Sequence, residues 1–109
     1  MTLSTHVLDT ARGVPAAGIV IRLYALSADA RTFVAEALTN ADGRTDAPLA
    51  ANLSAGTYEL VFATGAYFER LSVAAFYADI PIRFTLSSGE RYHVPLLLAP
   101  WGYATYRGS

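Results

Sequence analysis

The sequence predicts an all-β protein, a sandwich of two sheets with seven to eight strands and one short helix. Three observations predict it. Apolar residues recur with a period of two in several short runs, the pattern of strands that rest one face on a core. Gly, Pro, Asn or Asp follows these runs, as turns between strands require. Only one segment fits a helix. The 109 residues suit a single domain spanning 1–109, near the common domain size of ~100–150. A chain of that size buries enough surface to fold without metal or disulfide support.

Each element can be justified in order. His6 shares a face with Leu8 and leads into a turn at Asp9 to Gly13. Ile19 to Tyr24 is β-branched and aromatic, which favours a strand. Asn40-Ala41-Asp42-Gly43 reads as a second turn. From Thr57 to Thr64, Tyr58, Leu60 and Phe62 fall on one face, with Glu59, Val61 and Ala63 on the other. Ala66 to Leu71, preceded by Gly65, is the expected helix. Ile80, Ile82, Phe84 and Leu86 then point inward, and Ser87 to Glu90 reads as a hairpin loop. Tyr92, Val94, Leu96 and Leu98 line the core face of the next strand, so His93 and Leu97 point outward. Pro100 separates the last two strands, and half-buried antiparallel pairing is expected throughout.

Composition removes several function classes. The net charge is -1, so no basic footprint for nucleic acid or an anionic membrane exists. Cysteine is absent, which excludes disulfides, thiolate metal sites and a cysteine nucleophile. No apolar run approaches the ~20 residues of a spanning helix. The N-terminus lacks a basic stretch followed by an apolar one, so no secretory signal is expected and the cytoplasm is the expected compartment. Charged residues make up only 16%, well below the usual ~25%. Part of the surface is therefore expected to lie against another subunit. The segment Trp101 to Tyr106 has three aromatics and no charge, and would suit an edge strand covered in that way.

The polar inventory is short. The two histidines, His6 and His93, lie near opposite chain ends. Without cysteine or a close His pair, they fall short of a metal site, which needs three or four ligands. No Gly-x-Ser-x-Gly elbow is present, and the glycines are too sparse for a phosphate loop. Asp42-Gly43-Arg44 reads as a turn with a solvated arginine. Residue chemistry alone reaches an oligomeric β-sandwich with a few unassigned polar groups.

Three stretches carry a resemblance. They are Ser4-Thr5-His6-Val7-Leu8-Asp9-Thr10 with Gly13-Val14-Pro15-Ala16-Ala17-Gly18, then Thr39-Asn40-Ala41-Asp42-Gly43-Arg44, then Tyr92 to Leu98 with Pro100 to Ser109. In order and at this length, they resemble the transthyretin-like (prealbumin-like) family in its 5-hydroxyisourate hydrolase branch, and Tyr106-Arg107-Gly108-Ser109 is the most specific piece. The resemblance implies two four-stranded sheets with a short helix and a homotetramer built as a dimer of dimers. It also implies hydrolysis of 5-hydroxyisourate to 2-oxo-4-hydroxy-4-carboxy-5-ureidoimidazoline in urate degradation, without metal or organic cofactor. His6, Arg44 and His93 match the family's catalytic positions, and Ser109 could orient substrate or water. Arg44, Tyr106, Arg107, Gly108 and Ser109 would bind substrate. His93, with His6 as the alternative, would activate water, and Arg44 would stabilise the oxyanion. The rival readings are a transthyretin-like hormone carrier without catalysis and a non-catalytic Ig-like module.

Overall fold

The computed structural model, which describes residues 1–108, has eight strands and one helix among them. The strands are β1 (Thr2–Asp9), β2 (Val14–Pro15), β3 (Val20–Leu26), β4 (Arg31–Leu38), β5 (Gly56–Phe62), β6 (Ile80–Leu86), β7 (Arg91–Ala99) and β8 (Gly102–Thr105), and the helix α1 spans Thr64–Arg70. They form two four-stranded sheets, ordered β2-β1-β7-β8 and β4-β3-β5-β6.

The core lies between the sheets. Leu60 and Phe62 from β5 share one buried cluster with Leu96 and Leu98 from β7, all at most 1% exposed. Full burial of such side chains stabilises the fold by about 1.5–3 kcal/mol each. Along β1, Leu3, Thr5, Val7 and Asp9 are buried, while Ser4, His6 and Leu8 take the other face. The buried polar groups on this strand are satisfied. Thr5 Oγ1 donates to the Val94 carbonyl at 2.7 Å. The Asp9 carboxylate accepts from Tyr67 Oη at 2.8 Å and from the Arg12 amide at 3.0 Å. Asp9 and Tyr67 thus tie the end of β1 to α1.

Four details differ from the sequence reading. First, β1 pairs with β7 in parallel, whereas the period of two suggests antiparallel strands throughout. That period reports which face is buried and is the same for both senses of pairing. Second, Ser87–Glu90 is not a hairpin loop, because β6 and β7 belong to different sheets. Tyr92 Oη accepts from the Ser87 and Ser88 amides and donates to the Ser88 carbonyl, which fastens this crossing. Third, the helix begins at Thr64 rather than Ala66, and β5 ends at Phe62. Gly65 lies inside the helix, close against the next loop, where a Cβ would come within 2.9 Å of the Ala78 carbonyl oxygen. Fourth, β2 and β4 carry no period-two signal. β2 has two residues, and β4 is an edge strand with Phe33 and Val34 both exposed.

Candidate active site

The outer face of β1 and β7 holds the candidate chemistry. In the parallel register Ser4 lies opposite His93, and His6 lies opposite Pro95. Alternation along β1 puts Ser4 and His6 on the same face, and along β7 it puts Arg91 and His93 together. Residues nearly ninety positions apart are therefore gathered by the pairing of a strand from each end of the chain.

Arg44 comes from the turn that the sequence identifies. Asn40 organises it. Its Oδ1 accepts from the Asp42 and Arg44 amides at 2.9 and 3.2 Å, and its carbonyl accepts from the Gly43 amide at 2.9 Å. The turn docks on β1, where the Val7 amide donates to the Gly43 carbonyl at 2.8 Å. Gly43 has φ +74°, and a Cβ there would come within 2.3 Å of the Val7 carbonyl oxygen. Only glycine permits that backbone geometry and that approach. The close docking is what carries Arg44 over the strand face.

The histidines are held differently. His6 Nε2 lies 2.9 Å from the Asp42 carbonyl. A carbonyl only accepts, so this nitrogen carries the proton. His93 is half-buried, and its Nδ1 lies 2.9 Å from Ser4 Oγ, a hydrogen bond for which either partner can supply the proton. Burial pushes the His93 pKa below the ordinary imidazole value, and the positive charges of Arg44 and His6 push the same way. A hydrogen bond to the Ser4 backbone opposes them in part. At neutral pH His93 is therefore uncharged and has a lone pair to use.

Ser4, Arg44, Arg91, Tyr92 and His93 line one cleft of about 420 Å³. Among the described residues no carboxylate lies within ion-pair distance of Arg44 or Arg91. The cleft thus has two guanidinium groups and a neutral imidazole, an arrangement suited to an anionic or carbonyl-rich ligand. No group of three His, Cys, Asp or Glu side chains that could hold a metal occurs among the described residues.

The closing tetrapeptide is divided. Gly108 donates its amide to the His93 carbonyl at 2.7 Å, and a Cβ on it would come within 2.7 Å of the ring carbon Cδ2. Here glycine allows the tail to lie flat against the imidazole. Tyr106 and Arg107 do not face the Arg44–His93 cleft within the single chain. They line a separate slot of about 230 Å³ with Ile82 and Phe84 of β6, and the Arg107 guanidinium sits 4.8 Å from the centre of the Tyr92 ring. Ser109 lies outside the described residues. Ser4 and Arg91, by contrast, are site residues that sequence reasoning did not single out. The alternation of β7 could have found Arg91, two positions before His93, whereas Ser4 required the strand register.

Known proteins resemble this chain over nearly its full length. A 5-hydroxyisourate hydrolase from Mesorhizobium japonicum is 54% identical, over 98% of this chain and 91% of that protein. The structure of a Klebsiella pneumoniae 5-hydroxyisourate hydrolase matches with a TM-score of 0.88 at 40% identity, covering all of both chains. Sea bream transthyretin in complex with thyroxine matches with a TM-score of 0.91 at 27% identity, covering 99% of this chain and 95% of that one. The model of the HIUase/Transthyretin family matches residues 3–108. With that match over nearly its whole length, the chain belongs to the HIUase/Transthyretin family.

Proposed function

We propose that this protein is a hydrolase acting on 5-hydroxyisourate and opening its lactam ring to give 2-oxo-4-hydroxy-4-carboxy-5-ureidoimidazoline. The observation that carries the reading is the cleft lined by both His93, whose pKa burial lowers, and Arg44, which meets no carboxylate among the described residues. Relatives matched over nearly all of this chain are named 5-hydroxyisourate hydrolase.

His93 takes a proton from water as it attacks the lactam carbonyl. Such general-base catalysis is typically worth ~10²–10⁴-fold. Arg44 stabilises the tetrahedral oxyanion with fixed, permanently charged donors. The lactam C–N bond then breaks, the nitrogen leaves with the proton that His93 took from water, and the carboxylic acid formed loses the second water proton to solvent as it ionises. His6, with its Nε2 proton on the Asp42 carbonyl, fastens the turn that carries Arg44 to β1 beside the cleft. Gly108 holds the tail against His93, and Arg91 adds a second cation for the product carboxylate. Tyr106, Arg107 and Ser109 belong to the substrate pocket in this reading, with the slot by β6 closing on it in the assembly.

The assembly is a homotetramer, a dimer of dimers, working in the cytoplasm. Its support is the exposed aromatic surface on and beside the β8 edge, where Phe76 and Trp101 are each more than two-thirds exposed. A packed sandwich of this size has no deep cavity of its own, so a purine-derived ligand is better enclosed between subunits.

The test follows ultraviolet decay of freshly generated 5-hydroxyisourate with the wild type and with Arg44→Ala. The wild type should accelerate decay, and the variant should lose about 10²–10³-fold in turnover while keeping its fold. A wild type that binds ligands but leaves the decay rate unchanged would favour the carrier reading instead.

A further inference from the structure

We propose that Ser4 is a positioning residue for the reaction, accepting the Nδ1–H of His93 so that the imidazole keeps a bare Nε2 for the cleft. The inference rests on the hydrolase reading, and it identifies which nitrogen acts as the base.

The geometry starts from the strands. Ser4 and His93 are direct partners in the parallel β1–β7 pair, where neighbouring strands lie ~4.8 Å apart. A short hydroxyl spans that gap, and Ser4 Oγ sits 2.9 Å from Nδ1. A serine hydroxyl has one proton and two lone pairs. Its proton has a partner of its own, because Oγ lies 3.5 Å from the Tyr92 carbonyl, which can only accept. With that proton turned toward Tyr92, Oγ is left as an acceptor for the ring.

The consequence follows from the ring's chemistry. A neutral imidazole has one N–H, and fixing it at Nδ1 leaves the lone pair at Nε2. Water activation needs that lone pair. The opposite tautomer would present an N–H to the attacking water and could not accept its proton. Gly108 packs against Cδ2 from the tail side, so the ring is held by a hydrogen bond on one edge and by van der Waals contact on another.

Ser4 also ties two strands together, and a purely structural role must be separated from the one proposed. Two variants and a spectroscopic readout do so. The nitrogen shifts of the two imidazoles, recorded by long-range ¹H–¹⁵N correlation at pH 8, report the tautomer directly. The wild type should show His93 protonated at Nδ1 and bare at Nε2. In Ser4→Ala the ring should shift toward the Nε2–H form, with kcat reduced about 10-fold and KM within about twofold, a partial loss of the ~10²–10⁴ that a general base supplies. Ser4→Thr keeps the hydroxyl and should keep both tautomer and kcat.

A wild type with His93 protonated at Nε2 would overturn the proposal without any variant. So would a Ser4→Ala protein with unchanged kcat and tautomer, or equal losses in Ser4→Ala and Ser4→Thr. An inactive wild type whose tautomer still switches in Ser4→Ala would overturn the hydrolase reading and leave the Ser4–His93 hold supported.

Discussion

The outer faces of the two sheets treat arginine in opposite ways. On the β3–β5–β6 face, Glu59 accepts from Arg31 at 3.0 Å and from Arg83 at 2.8 Å, and its side chain is only 6% exposed beneath them. The hydrogen bond from Arg83 does most to hold the Glu59 carboxyl below its ordinary range, and Arg31 adds to it against the cost of burial. On the β1–β7 face, Arg44 and Arg91 share a cleft with His93 and meet no carboxylate among the described residues. Paired charge holds a surface together, whereas unpaired charge in a cleft is left for a ligand. The difference teaches which face works.

Substitutions on the two faces should therefore fail differently. The largest effect is expected from His93→Asn. Losing the general base should lower kcat by about 10²–10⁴-fold, and thermal melting should stay close to wild type because the ring lies outside the core. A matched loss of stability and activity would reassign His93 to a structural role.

A smaller effect is expected from Gly108→Ala. The added Cβ would displace the imidazole it presses on, and misplacement of a catalytic group on the ångström scale costs up to about 10²-fold. A loss of about 10-fold or more in kcat, measured by isourate decay, should come with an unchanged β-sheet circular dichroism spectrum. Full activity would mean that the tail does not hold the ring.

The smallest effect on turnover should come from Glu59→Gln, on the other face. Activity should be unchanged, and stability should fall by about 1 kcal/mol, since both arginines are more than half exposed and solvent screens them. The sign with pH is set by a lowered carboxyl pKa. The contribution is present above the unfolded carboxyl value of ~4.3 and is lost as pH falls through the lower folded value. Urea melts from pH 7 down to pH 3 should show the wild type and the variant converging. Lost activity in Glu59→Gln would break the division between the faces.

How far the sequence could be read depends on what each residue responds to. Tyr92, Val94, Leu96 and Leu98 alternate because one face of β7 meets the core, so the strand and the outward direction of His93 are legible. The sense of the β1–β7 pairing is not, because alternation is the same for both senses, and with it goes the meeting of Ser4 with His93. Asn40 to Gly43 is visible as a turn from its residue types. That Gly43 must lie against Val7, and so deliver Arg44 to the cleft, is a matter of tertiary contact. The family resemblance brought His6, Arg44 and His93 together before any coordinates did. It could not separate Arg107, which stacks over Tyr92 in the slot by β6, from Gly108, which touches His93. β4 escaped notice because neither of its faces is buried enough to leave a pattern.

The pH dependence of kcat for 5-hydroxyisourate, in wild type and in His93→Asn, tests the central chemistry most directly. Because burial and neighbouring positive charge lower the His93 pKa, the wild-type rate should hold through neutral pH. It should fall only along an acid limb centred below the ordinary imidazole value of ~6.5, and His93→Asn should remove both the limb and most of the rate. A wild-type limb at or above that value, or a limb that survives in His93→Asn, would contradict the assignment of His93 as the base.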